Sequence, residues 1–319
     1  MSALWGISAS NIFGVCHNAA IVHFDGKSWN AMEHNVEPRE FLKGVWGSSA
    51  TDVFAVGENG MIMHYDGVEW TKMKSPTTEH LYGIWGSSSS NVYAVGAAGT
   101  ILYYNGLTWS ADIESGTTED LRAIWGIGGS DIYSVGDSGT ILHYDGVSWS
   151  EMESNSTAWL LGILGTSDAN IYAVGGFYDG VGGWFHPDSW DGGVILHYDG
   201  NVWSEIKTDI DSRLFSIWGS SETNIYTVGA QATILHFGEA ADGERCFFEN
   251  LYEDNSDKVT SLRNFRDGVL STTLQGKLAI RAYYTLSPYL IKFIKNNYLR
   301  TKVEKSIDVF LHFLGVVDN

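Results

Sequence analysis

The 319-residue chain has two cysteines, four prolines and, over its first three quarters, very little positive charge. Two cysteines, Cys16 and Cys246, exclude a disulfide framework and any zinc site built on paired thiolates. Residues 1–244 hold 8 Lys and Arg against 30 Asp and Glu, which argues against a nucleic-acid surface, because phosphate binding needs a basic face; residues 245–319 hold 11 against 8. No charged start followed by an apolar run precedes Trp5, so no signal peptide is visible. The chain begins inside a repeat, at Leu4, which suggests a fragment or a shortened amino terminus. The longest apolar run near the end, 309–317, is broken by His312 and is too short to span a bilayer. What is abundant is Gly (37 residues) and Trp (13 residues) in a chain that is 44% hydrophobic, enough to bury a substantial core.

Those two residue types are organised. Trp-Gly pairs at Trp5, Trp46, Trp85, Trp125 and Trp218, with Leu164-Gly165 in the fifth position, are spaced 41, 39, 40, 39 and 54 residues apart. A period near 40 marks either propeller blades or helical repeats. Short β-branched and aromatic runs punctuated by Gly, Ser, Asn and Asp decide for blades. Each copy divides into four strand-sized runs, as in Leu121 to Gly126, Asp131 to Val135, Thr140 to Tyr144 and Val147 to Met152. Between the last two stands Asp-Gly or Asn-Gly, at 25–26, 66–67, 105–106, 145–146 and 199–200, a strong hairpin signal. The glycines at 57, 96, 136 and 175 are expected to supply positive φ where the second strand ends. The expected fold is mainly β: a six-bladed β-propeller of four-stranded blades over residues 1–240, its last blade incomplete, followed by a small helical domain over 241–319.

Two columns of tryptophan then have a structural role. Trp46, Trp85, Trp125 and Trp218 fall on first strands, while Trp29, Trp70, Trp109, Trp149 and Trp203 open fourth strands, and each is expected to fill a gap between blades. The column His23, His64, His143, His197 and His236 invites a metal reading, but the same strand of different blades is spread around a ring and cannot converge on one ion. These are hydrogen-bonded structural histidines, with Tyr103 in a packing slot, and no metal or cofactor is expected.

The run WGSSATDVFAVGENGMIMHYDGVEW at 46–70 resembles the Trp-Gly propeller repeats of bacterial, mostly exported proteins, which are distantly similar to Asp-box propellers and to photosystem II assembly-factor propellers. The resemblance covers about residues 4–238; it implies a fold and no particular activity. Residues 246–314 resemble a bacterial carboxy-terminal domain named for its Cys-Phe-Ile box (CFI-box). The residues that match are Cys246-Phe247, LRNFRDGVL at 262–270, Gly276, Tyr283-Tyr284 and Leu286-Ser287-Pro288, whereas FENLYED at 248–254 departs from the box. That resemblance implies an extracytoplasmic setting. Helical periodicity over 256–314 agrees with it: Val259, Leu262, Phe265 and Val269 share one side behind a Ser256 cap. Closure of the ring would bring Cys16 and Cys246 near one another.

Function is expected where the repeat breaks. The fifth copy is longer by about fourteen residues between its second and third strands, GFYDGVGGWFHPDSWD at 176–191. In an antiparallel blade the turn between strands 2 and 3 shares a face with the blade-to-blade links, so the insertion is expected beside Trp159. The candidate ligand patch is Trp159, Phe177, Tyr178, Trp184, Phe185 and Trp190, suited to stacking on a sugar or an apolar segment of a partner. The same face carries Glu37, Glu79, Glu119, Asp120, Asp209 and Asp211, and is expected to be acidic and to attract cations or a basic partner. The expected role is a non-catalytic binding or protein-interaction module with a protein or carbohydrate ligand. The alternative is a sialidase-like glycoside hydrolase in which Arg39, Arg122 and Arg213, in alternate blades, hold a carboxylated sugar.

Overall fold

The computed structural model describes residues 2–16, 19–34, 41–178, 190–208, 210, 212–222 and 224–237. The chain divides into two compact units, Met1–His236 and Phe237–Asn319. The helices expected over 256–314, the residues of the Cys-Phe-Ile box and Cys246 lie outside the described residues.

The first unit is a six-bladed β-propeller of antiparallel sheets. Blade 1 comprises Ala3–Ser8, Asn11–Val15, Ile21–Phe24 and Trp29–Met32 (β1–β4). Blade 2 comprises Leu42–Ser49, Asp52–Gly57, Ile62–Tyr65 and Trp70–Lys72 (β5–β8). Blade 3 comprises Leu81–Ser88, Asn91–Gly96, Ile101–Tyr104 and Trp109–Ser110 (β9–β12), and blade 4 comprises Leu121–Gly128, Asp131–Gly136, Ile141–Tyr144 and Trp149–Met152 (β13–β16). Blade 5 comprises Trp159–Ser167, Asn170–Tyr178, Trp190–Tyr198 and Trp203–Glu205 (β17–β20). Blade 6 contributes Leu214–Ser221, Asn224–Gly229 and Ile234–Phe237 (β21–β23) among the described residues. First strands of consecutive blades touch, so they line the axis and the fourth strands lie outermost.

The core is divided into layers. Each lies between two blades, as where Tyr133, Val135 and Ile141 of blade 4 meet Leu160, Ile171, Ala173, Leu196 and Trp203 of blade 5. The second strands are therefore covered on both faces and read as nearly continuous apolar runs, such as IYSV at 132–135. The Trp-Gly pair explains itself here. A Cβ at Gly47, Gly86, Gly126 or Gly165 would stand 2.8, 2.7, 2.8 or 2.3 Å from ring carbons of Trp5, Trp46, Trp85 or Trp125 in the preceding blade. The indole lies on bare backbone, and any side chain would lift it off. From the other side Trp70, Trp109 and Trp149 turn an edge to Phe13, Phe54 and Tyr93 of the preceding blade, at 6.4, 6.1 and 6.3 Å.

The Asp-Gly hairpins form as expected: Asp145 Oδ1 accepts from the N–H groups of Val147 and Ser148 at 2.8 and 2.9 Å, and Gly146 has φ +91°. These bonds hold its carboxyl below the usual range. Each column histidine is bound within its own blade, for example His64 to Asp52 at 2.7 Å and His143 to Asp131 at 2.8 Å, and stacks on the aromatic residue of the second strand.

Two expectations need correction. Gly57, Gly96 and Gly136 are extended (φ −169°, −166° and −158°) and serve close approach, since a Cβ would stand 2.0 to 2.2 Å from the carbonyl oxygens of Phe41, His80 and Asp120; Gly175 likewise faces the Trp159 carbonyl. Positive φ falls two and three residues on, at Ser138 (57°) and Gly139 (76°) in blade 4. Nor does every column tryptophan fill a gap: Trp29 is 45% and Trp218 60% exposed.

Candidate functional site

The residues on either side of the first leucine in the first strands of blades 2 to 6 differ from blade to blade: Phe41 and Lys43, His80 and Tyr82, Asp120 and Arg122, Trp159 and Leu161, Arg213 and Phe215. All stand at the end where second strands turn into third strands. Backbone bonds fix this, with Glu58, Ala97, Asp137 and Ala230 donating N–H to the carbonyls of Phe41, His80, Asp120 and Arg213 at 2.8 to 3.0 Å. The blade-packing slots hold nearly the same residues throughout, whereas these ten do not.

Arg122 organises the centre of this face. Its Nε donates to Asp137 Oδ1 at 2.7 Å while Nη2 donates to Asp137 Oδ2, a bidentate pair, and Nη2 also lies 3.1 Å from Asp120 Oδ2. The guanidinium is 4.5 Å from the Tyr82 ring centroid and 5.3 Å from that of Trp159, so one cation meets rings from the blades before and after its own. Asp120 is fixed in turn by the Tyr82 hydroxyl (3.2 Å) and the Ala98 N–H (3.0 Å). Burial works against the Arg122 charge, but Asp137 and then Asp120 outweigh it and raise its pKa further. Burial pushes the Asp137 carboxyl up even though Arg122 pulls it down. Burial likewise raises the Tyr82 hydroxyl.

The insertion of blade 5 starts beside this cluster. Strands β18 and β19 continue past the usual turn, pairing Phe177 with Asp191 and Tyr178 with Trp190, and Trp159 lies opposite Gly176. From blade 6, Arg213 borders the same glycine, its Cβ 2.8 Å from where a Gly176 Cβ would stand, and its guanidinium is 4.8 Å from the Phe215 ring. Trp159 and the backbone of Trp190 thus lie on strands that flank β18 on either side, and Phe177 is exposed. Trp184 and Phe185 lie outside the described residues, as do Glu37, Asp209 and Asp211. Of the other acidic residues, Glu79 is exposed, Glu119 accepts from the Ser138 hydroxyl at 3.1 Å, and Asp120 is taken by Arg122.

The three-arginine arrangement is altered by this geometry. Arg39 lies outside the described residues, and Arg122 is committed to two carboxylates of its own blade. Sequence reading missed Asp137, although a signal exists: Lys43 with Glu58 and Arg122 with Asp137 occupy equivalent slots, and both pair (Lys43 Nζ to Glu58 Oε1, 3.0 Å).

No family model and no curated protein matches the sequence. Among solved structures, the chain is similar to YCF48 from Cyanidioschyzon merolae, at 14% identity over 72% of this chain and 78% of that one, with a TM-score of 0.54. It is similar to U3-55K at 9% identity over 73% and 75%, TM-score 0.56, and to an ancestral GH74 enzyme at 11% identity over 74% and 38%, TM-score 0.55. At these identities the likeness is one of fold, and it joins this chain to propellers that include both enzymes and proteins of other kinds.

Proposed function

We propose that this chain is a non-catalytic binding module that takes a basic, partly apolar protein segment across the face formed by Tyr82, Asp120, Trp159 and Phe177. One observation carries the reading: the blade-packing slots repeat while the ten residues around the first leucines of blades 2 to 6 vary, so the blade repeat does not dictate these positions and their differences can serve recognition. Arg122, held between two rings by two carboxylates, keeps Tyr82 and Trp159 in place before any ligand arrives, which lowers the ordering cost of binding. The excess of acid over base in residues 1–244 favours a basic partner. A carbohydrate would use the same rings but gain nothing from the charge. Catalysis is disfavoured because the buried guanidinium is already neutralised, leaving Asp120 and Asp137 as its counter-ions. The exported setting implied by the Cys-Phe-Ile box resemblance fits a partner met outside the cytoplasm.

The test is an array of peptides of graded charge beside a glycan panel and a fluorogenic sialoside. Basic peptides containing aromatic residues should bind at low salt, weaken as salt rises, and lose about tenfold affinity with Trp159→Ala. Glycan binding alone, or turnover of the sialoside, would contradict this reading.

A further inference from the structure

Blade 6 carries a complete packing face that lies open. In blade 4, Tyr133, Val135 and Ile141 are 3%, 0% and 0% exposed beneath blade 5; their counterparts Tyr226, Val228 and Ile234 in blade 6 are 37%, 42% and 71% exposed. The opposite half of such an interface lies open on blade 1. Gly6, Phe24 and Trp29 stand there in the slots of Gly47, Tyr65 and Trp70, and the atoms nearest to a Cβ at Gly6 belong to Asn11 and Ile12 of its own blade. No strand of blade 6 makes an extensive contact with a strand of blade 1 among the described residues.

The filled contacts repeat one packing and therefore one step between blades. Six blades placed by that step do not bring Trp218 onto Gly6, so the seam between blades 6 and 1 is open and lined on both sides by the halves of the same interface. The chemistry narrows what fits. In the filled interfaces an indole sits against a glycine, as Trp125 does at Gly165, and Tyr226 stands in the slot where Tyr93 meets Trp149 in a T-shaped pair at 6.3 Å. A Trp-Gly blade offers both contacts in the spacing that the filled interfaces use.

We propose that this seam docks one further Trp-Gly blade. Its first-strand glycine would sit under Trp218 and its fourth-strand tryptophan beside Tyr226, while its own first-strand tryptophan would cover Gly6. The occupant is identified by continuity with the filled interfaces: both open faces carry the residues that those interfaces use.

The test uses the full chain and, as probe, a fluorescein-labelled peptide of residues 118–157, one whole repeat. Fluorescence anisotropy should show saturable binding, weakened about tenfold or more by Trp218→Asp in the chain and by Gly126→Val in the peptide. Trp218 is exposed, so its replacement leaves the chain folded, which circular dichroism verifies. Absence of binding, or binding unaffected by both changes, would overturn the proposal. So would sedimentation showing that the chain by itself forms dimers abolished by Trp218→Asp, because a second copy would then fill the face.

Discussion

Blades 4 and 6 are written with nearly the same letters, LRAIWGIGGSDIYSVG and LFSIWGSSETNIYTVG, and fold into the same first two strands in the same register. Tyr133 of one is sealed and Tyr226 of the other meets solvent. The repeat therefore encodes half of a contact, and a blade becomes buried only through its neighbour. Tryptophan, glycine and the second-strand aromatic residue act as a set shared across the gap, so identical substitutions should cost different amounts in the interior and at the seam.

The largest effect is expected for Trp109→Ala, which empties the space between blades 2 and 3 and should cost ~3–5 kcal/mol in denaturant unfolding, whereas Trp218→Ala should stay within ~0.5 kcal/mol. Equal costs would mean that blade 6 is as well packed as the interior. Next comes the ion pair. Asp137→Ala removes the bidentate carboxylate partner of the buried Arg122 and should cost about 3 kcal/mol. The equivalent Glu58→Ala in blade 2, where both partners are a quarter exposed, should cost at most about 1 kcal/mol. Third is Gly165→Ala, which drives a Cβ into the Trp125 ring and should lower stability by ~1–3 kcal/mol, while Gly6→Ala should have the smaller effect of the two. The smallest is a pH effect at His197. Burial lowers its pKa below 6.5, with Asp199 opposing, so the folded state binds its proton less readily than the unfolded chain does. Stability should be fully present above pH 6.5 and decline as the pH falls through the folded value, and His197→Gln should flatten that slope.

Blades, hairpins and the place of the insertion were legible because each is carried by residues a fixed few positions apart: Asp145-Gly146 makes its turn with Val147 and Ser148 whatever lies around it. The role of Gly136 was misjudged, since close approach to the Asp120 carbonyl and a left-handed backbone both demand glycine and only geometry separates them. The Arg122–Asp137 pair escaped notice because its partners are fifteen residues apart on two strands. Comparing copies would have found it: Lys43 and Glu58 match them, while Tyr82 and Ala97, Leu161 and Gly176, and Phe215 and Ala230 lack charge at both slots. The exposure of Trp218 was not legible at all. Whether a sixth blade meets the first depends on the summed step of the intervening contacts, and no single repeat records that sum.

The central claim, that the repeat builds contacts between consecutive blades and leaves one seam open, is tested most directly by hydroxyl-radical oxidation of the intact chain read tryptophan by tryptophan. Trp218 and Trp29 should oxidise fastest among the column residues, with Trp70, Trp109 and Trp203 protected. Trp218 reacting as slowly as Trp109 would contradict the open seam.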